Sequence, residues 1–122
     1  MPRPSDAGRT TLPLMDPRHE PADLAVLRLL QRDERVELAL EAIGAELRVT
    51  DRRLLVTDAA NVRLDIPYKR LRRIEFDLEA ARPASMVIVP HQPADEPQVL
   101  SVPRDQLQVA AEVLAFIGER LP

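Results

Sequence analysis

The stretch from residue 46 to residue 78 limits the fold more than any other part of this 122-residue chain. It reads ELRVTDRRLLVTDAANVRLDIPYKRLRRIEFDL, in which apolar and polar residues alternate over short runs separated by polar turns. Val62, Leu64 and Ile66 form the clearest run, and Pro67 ends it. A period of two residues is typical of a strand with one buried face. The stretch therefore predicts three or four short strands.

Residues 34–43 precede this stretch and fit two interpretations. They are good helix formers, and propensity alone would run one helix from residue 22 through residue 43. However, Val36, Leu38 and Leu40 occupy every second position, which is the pattern of a half-buried strand. We favour the strand, with a hairpin turn at Gly44-Ala45 because glycine tolerates positive φ.

Further strands follow, and together they indicate the fold class. Ile74, Phe76 and Leu78 alternate with acidic residues, and residues 86–89 and 99–102 are short apolar runs bounded by prolines and polar loops. Seven strands at short spacing predict a mainly β sandwich or barrel.

Two segments near the chain ends have helical periodicity instead. Residues 21–33, PADLAVLRLLQRD, place Leu24, Leu27 and Leu30 on one face and predict a short N-terminal helix. Pro103 and Asp105 favour the start of a second helix, whose apolar face must be buried against the sheets. That face comprises Leu107, Ala110, Ala111, Leu114, Ile117 and Leu121, widened by Val109, Val113 and Phe116.

Prolines divide the chain into a tail and a domain. Pro2, Pro4, Pro13, Pro17 and Pro21 lie among the first 21 residues, where few apolar residues are available for a core. We therefore expect residues 1–21 to be a disordered or extended tail and residues 22–122 to form one domain.

Three short motifs carry a resemblance to a known family. They are LRVTDRRLLVTD at 47–58, IPYKRLRRIEF at 66–76, and the single amphipathic helix after the last strand. Over residues 24–121 the chain resembles the bacterial pleckstrin-homology-like domains. The resemblance implies two nearly orthogonal antiparallel sheets of about seven strands in a partly open barrel, capped by the C-terminal helix. It also implies self-association, which is common among the bacterial relatives.

Lipid-binding relatives hold a phosphoinositide head group between basic residues on the first strands and their loop. In this chain the corresponding residues 34–46 contain one basic residue, Arg35, and four glutamates. The resemblance therefore does not extend to that pocket.

The basic residues are concentrated in the middle of the chain. Residues 47–74 carry eight basic and three acidic side chains, although the whole chain has a net charge of −3. Such a basic segment either binds anions or is neutralised within the fold by Asp51, Asp65 and Glu75. The candidate residues for binding an anion or a partner are Arg52, Arg53, Lys69, Arg70, Arg72 and Arg73.

Residues that carry catalysis or metal binding are scarce. The chain has no cysteine, its three glycines are isolated, and its two histidines, His19 and His91, lie in proline-rich segments without metal-ligand spacing. We expect no enzyme activity, no catalytic or metal-binding residues and no cofactor. The first sixteen residues lack the apolar region of a signal peptide, and no apolar run is long enough to span a bilayer, so we expect a cytoplasmic protein.

These features favour a non-enzymatic module for protein–protein interaction or self-assembly, and we expect a homo-oligomer. The alternative is peripheral binding to anionic lipid through the basic residues. Nucleic-acid binding is disfavoured by a pI near 5.4 and by only three aromatic side chains.

Overall fold

The computed structural model describes residues 29–59 and 61–121, which form seven strands followed by a C-terminal helix. Two short 3-10 turns, Tyr68–Arg70 and Arg104–Gln106, precede β5 and the helix. The strands are β1 (Val36–Ala42), β2 (Ala45–Thr50), β3 (Arg53–Thr57), β4 (Val62–Pro67), β5 (Leu71–Asp77), β6 (Ala84–Pro90) and β7 (Gln98–Val102), and the helix is α1 (Leu107–Gly118).

The strands form two antiparallel sheets in which each strand pairs with its neighbours in sequence. The first sheet has the order β1-β2-β3-β4 and the second has the order β5-β6-β7. Among the described residues no ladder joins β4 to β5, and the 3-10 turn after Pro67 carries the chain from one sheet to the other. At the opposite corner the backbone N–H of Ile43 donates to the carbonyl of Ser101, at 2.9 Å. The predicted seven-stranded fold is confirmed, and its two sheets do not close into a barrel.

The structure decides between the two interpretations of residues 34–43. Val36–Ala42 is a strand, and its Leu40 is fully buried opposite Leu47 of β2. The hairpin turn, predicted at Gly44-Ala45, lies one residue earlier, at Ile43 and Gly44. Gly44 has φ +77°, the left-handed conformation that the second central residue of such a turn requires. Ala45 is instead the first residue of β2.

Most of the other predicted strands are confirmed within one or two residues. Leu78 is an exception, because β5 ends at Asp77 and the Leu78 side chain is 62% exposed beyond it. The predicted N-terminal helix and the tail lie almost wholly outside the described residues, which begin at Leu29.

One aliphatic core joins both sheets to α1. The helix begins at Leu107, and its start is attached to β1 because the side-chain oxygen of Gln106 accepts a hydrogen bond from the N–H of Glu41, at 3.0 Å. The helix buries Ala110, Val113 and Ile117 completely or almost completely. The fully or nearly fully buried apolar residues of the core cluster are Leu40, Leu47, Val49, Leu54, Val56, Leu64, Ile66, Tyr68, Leu71, Ala84, Met86, Ile88, Leu100, Val102, Ala110, Val113 and Ile117.

The buried face of α1 differs from the predicted stripe. Ala111, which the sequence places on that stripe, is exposed, whereas Val113, expected only to widen the stripe, is fully buried. Successive helical residues point about 100° apart, so Ala110 and Ala111 differ fully in environment although they are neighbours.

The different burial of Ala110 and Ala111 allows a direct test of which face of α1 packs on the core. We expect Ala110→Gln to lower the free energy of unfolding by about 2–4 kcal/mol, because it places a larger polar group in a filled core. The same change at the exposed neighbour, Ala111→Gln, should alter it by less than about 0.5 kcal/mol. Urea denaturation of both variants measures the two values. Equal losses would contradict the observed orientation.

Candidate functional site

Four of the six candidate residues lie at one end of the first sheet. Arg53, the first residue of β3, pairs with Pro67, the last residue of β4. The turn between β2 and β3 and the 3-10 turn after β4 therefore meet at this end. We call it the basic end, defined by Arg52, Arg53, Lys69 and Arg70. Arg72 and Arg73 follow on β5 in the second sheet.

Arg53 is the centre of a partly buried ion-pair cluster at the basic end. Its Nε donates to Glu34 Oε2 and its Nη2 to Glu34 Oε1, both at 2.9 Å, which is a bidentate pair. Its Nη1 donates to both carboxylate oxygens of Asp65 at 3.1–3.2 Å. Nη2 also donates to the carbonyl of Leu29. The Arg53 side chain is only 14% exposed, so its charge is neutralised within the fold.

The hydrogen bonds of Thr50 explain why a threonine lies three residues before Arg53. Its hydroxyl donates to Glu34 Oε2 at 2.6 Å and accepts the backbone N–H groups of Arg52 and Arg53 at 3.0 and 2.9 Å. A threonine that caps the backbone of a turn in this way stabilises the turn locally. The Thr-x-x-Arg motif thus forms the β2–β3 turn and brings Arg53 to Glu34.

The charges of this cluster alter two pKa values. Burial of Glu34 by itself raises the pKa of that carboxyl, but hydrogen bonds from Arg53, Thr50 and the Gln31 backbone, with the positive charge of Arg53, outweigh it. The pKa of Glu34 consequently falls from 4.5 to about 2. The hydrogen bond to Glu34 raises the pKa of Arg53, although burial opposes this change and Asp65 adds to it. Both groups are ionised at neutral pH.

Tyr68 links the basic end to the core. Its hydroxyl donates to the carbonyl of Thr50 at 2.6 Å, and burial raises the pKa of the phenol to about 12. Its ring lies 6.4 Å from that of Phe116, and the guanidinium of Arg120 stacks over the Phe116 ring at 3.4 Å.

The other five candidate residues differ in how far their charges are compensated. Arg70 forms an ion pair with Asp95, and Arg73 Nε pairs with Glu75 Oε2 at 2.6 Å. Arg52 donates to the Gln31 side chain at 2.8 Å and has Asp51 at 4.0 Å. Lys69 and Arg72 are exposed, with no acidic partner among the described residues.

Sequence reasoning missed two acidic residues that shape this region. Glu34 is 19 positions from Arg53, and Asp95 is 25 positions from Arg70. Neither separation corresponds to a helical or strand period, so no local signal indicated these pairs. Asp65 and Glu75 were anticipated as partners of the basic residues, and each forms such a pair.

Across residues 29–59 and 61–121, no three His, Asp or Glu side chains are grouped to hold a metal ion. His91 is exposed in the loop after β6, where its backbone N–H bonds to the carbonyl of Arg70. No helix in the same part of the chain is long and apolar enough to cross a membrane.

Comparison with solved structures identifies the arrangement of sheets and helix. A DUF1696 family protein with a pleckstrin-homology domain from Shewanella loihica is similar over 80% of this chain and 91% of that chain, with a TM-score of 0.57 and 17% identity. A pleckstrin homology domain from Shewanella amazonensis is similar over 76% and 92%, with a TM-score of 0.54 and 20% identity. This chain has a pleckstrin-homology-like fold. No family model and no curated protein matches the sequence.

In this chain, the first two strands of the pleckstrin-homology-like fold carry no group of free basic side chains. Arg35, directly before β1, pairs with Glu37 at 3.3 Å, and Arg48 of β2 pairs with Glu46. At the basic end, the positive charge of Arg53 is neutralised by ion pairs within the domain. These contacts do not build an anion pocket, and the fold alone does not fix a function.

The Glu34 pair makes stability depend on pH in a defined direction. Because the folded pKa lies below the unfolded value of 4.5, the ionised carboxylate contributes stability above pH 4.5 and loses it as pH falls towards 2. The shift corresponds to roughly 3 kcal/mol. We expect Glu34→Gln to be markedly less stable than the native chain at pH 7, and the difference to shrink between pH 4.5 and pH 2.

Urea denaturation at pH 7, 5 and 3 measures this difference. Glu75→Gln is the matched control, because Glu75 also pairs with an arginine but is exposed. That variant should differ from the native chain by less than about 1 kcal/mol at every pH. If Glu34→Gln behaved in the same way, the cluster would not contribute as described.

Proposed function

We propose that this protein is a non-enzymatic, cytoplasmic binding module that pairs with proteins, foremost with a second copy of its own chain. The domain would comprise residues 22–122, and residues 1–21 would be a tail. The observation that supports this proposal is an apolar strip on the outer face of the second sheet. The pleckstrin-homology-like fold supports a binding role in general, and the strip favours a protein surface as the partner.

The apolar strip consists of Val87, Val89 and Val99. On β6 and β7 the alternate residues, Met86, Ile88 and Leu100, are buried in the core, so the three valines point to the other face. Val87 lies directly opposite Val99, which is 65% exposed. Apolar side chains grouped on an uncovered sheet face are typical of protein contact sites.

The free edge of β7 lies beside this strip. The carbonyl of Ser101 points away from β6 and accepts the N–H of Ile43. Because backbone groups two residues apart in a strand point the same way, the N–H and C=O of Val99 also point outward. Within the described residues they have no backbone partner. Edge-to-edge pairing of two copies would satisfy these groups and bring two Val99 side chains together in a symmetric contact.

Self-association can be measured directly as molar mass. We expect light scattering over a range of concentrations to give a fixed multiple of 13.7 kDa that does not change with salt. Val99→Asp should shift the mass towards 13.7 kDa, because two like charges would face each other in an apolar contact. Leu78→Asp is the matched control, since Leu78 is equally exposed but lies outside the strip. A native monomer at all concentrations would contradict self-association.

A second candidate function is peripheral binding to an anionic membrane. Lys69 and Arg72 favour it, because both are exposed and neither has an acidic partner in the described part of the chain. Each basic residue near an anionic surface contributes about 1 kcal/mol, so the two raise affinity by only about 30-fold. This modest gain is the reason that we rank membrane binding below protein pairing.

Sedimentation with vesicles of phosphatidylserine and phosphatidylcholine tests the second candidate. Binding through these residues should decrease steeply with salt and be lost in the double variant Lys69→Glu and Arg72→Glu. Arg73→Glu should have a smaller effect, since the charge of Arg73 is already compensated by Glu75. Sedimentation of the double variant at the native level would exclude this route.

A further inference from the structure

Strand β5 forms the edge of the second sheet opposite to β7. It pairs with β6 on one side, and among the described residues no ladder joins it to β4 on the other. An open edge invites pairing with another chain, and proteins commonly protect such edges with prolines. The sequence of β5, LRRIEFD, contains no proline, whereas β7 lies between Pro97 and Pro103. The β5 edge is therefore the less protected of the two.

The backbone groups of Ile74 and Phe76 point outward from this edge. Ser101, Ser85 and Asp77 lie opposite one another in one row across the sheet. Opposite residues of an antiparallel pair point their backbone groups either towards each other or away from each other. The Ser101 carbonyl points away from Ser85, so Ser85 points towards Asp77 and Asp77 towards Ser85. Directions alternate along a strand, so the N–H and C=O groups of Ile74 and Phe76 point outward, and within the described residues they have no backbone partner.

The core is incompletely covered along the same edge. The side chains of Ile74 and Phe76 pack against the core cluster but are only partly buried. Ile88 and Met86, which lie opposite them on β6, are fully buried. A strand added beside β5 would therefore bury further apolar area as well as satisfy the free backbone groups.

The charges along β5 run from basic to acidic. Lys69 and Arg72, near its start, have no acidic partner in the described part of the chain, and Asp77, its last residue, has no basic partner there. Arg73 and Glu75 lie between these ends on the outer face. Two strands with this order of charges complement each other when they run antiparallel, because the basic start of each lies beside the acidic end of the other. This self-complementarity favours a second copy of the chain as the partner.

One register suits both the backbone and the charges. When Ile74 lies opposite Ile74 of the second copy, their outward N–H and C=O groups can bond to each other. Arg73 of each copy then lies opposite Glu75 of the other. A pairing centred one residue further along would place the two Glu75 carboxylates directly opposite each other, which is unfavourable.

We propose that two copies of the chain pair antiparallel along the β5 edge, with Ile74 opposite Ile74 and Arg73 opposite Glu75. This contact extends the proposed self-association to a second surface and does not depend on the valine strip. A copy that uses both edges of its second sheet contacts two other copies. Two different two-fold contacts generate an assembly with an even number of copies, at least four.

The test uses the full-length chain with Val99→Asp, which removes the contribution of the valine strip. Light scattering should then give twice 13.7 kDa. Adding either Arg73→Glu or Glu75→Arg should halve this mass at low salt, because like charges then face each other twice across the contact. Both side chains are about half exposed, so neither change disturbs the core.

An equimolar mixture of the two charge variants provides the decisive control. It should restore twice 13.7 kDa, because in a mixed pair each changed side chain faces an opposite charge. Loss of the ion pair within each chain could not produce this recovery. Glu112→Arg, the same change of charge at an exposed position of α1, should leave the mass unaltered.

Three results would overturn the β5 contact. They are a mass of 13.7 kDa for Val99→Asp alone, an unchanged double mass in both charge variants, and a mixture that stays at 13.7 kDa. The native chain reports on the valine strip separately. A native mass of at least four times 13.7 kDa supports both contacts, whereas a native mass of twice 13.7 kDa that Val99→Asp does not change supports the β5 contact and rejects the strip.

Discussion

The bidentate pair between Arg53 and Glu34 is the interaction on which the rest of the basic end depends. It joins the segment before β1 to β3, and through Asp65 it extends to β4. A buried ion pair stabilises a fold little compared with an apolar contact of the same size, but removal of one partner leaves a charge without compensation. Its main contribution is therefore specificity. It fixes the residues just before β1 against the start of β3.

The same pair explains why a basic segment in an acidic chain does not form an anion site. Residues 47–74 carry a large local excess of basic side chains, yet the fold brings Glu34 to Arg53, Asp95 to Arg70 and Glu75 to Arg73. All three acids lie outside the basic segment, Glu34 well before it, Asp95 well after it and Glu75 directly after it, and each neutralises the charge of its arginine. The uncompensated charge that remains on Lys69 and Arg72 is small and exposed, so salt screens it readily.

The strands were predictable because their signal is local. Val62, Leu64 and Ile66 alternate with polar residues, and this period alone places Leu64 and Ile66 in the core. The first hairpin turn lies one residue before its predicted position, and one residue of the predicted helix stripe, Ala111, is exposed, because the sequence pattern tolerates small errors that packing does not. Ala110 and Ala111 are chemically identical, and only contact with the sheets distinguishes them. The candidate site was less predictable, since strand register between distant segments decides which acid meets each arginine.

The outer faces of the two sheets differ in exposure. On the first sheet, Leu55 points away from the core cluster and is nevertheless fully buried. The second sheet is entered from the 3-10 turn at its own edge. On its outer side Val99 is 65% exposed, and Val87 and Val89 are partly exposed beside it. A sheet face of this composition is stable in water only when its apolar area is small. Pairing with another surface removes the remaining free-energy cost of exposing these side chains to water. The exposed Val99 is the reason that we propose the second sheet, and not the first, as the surface for a partner.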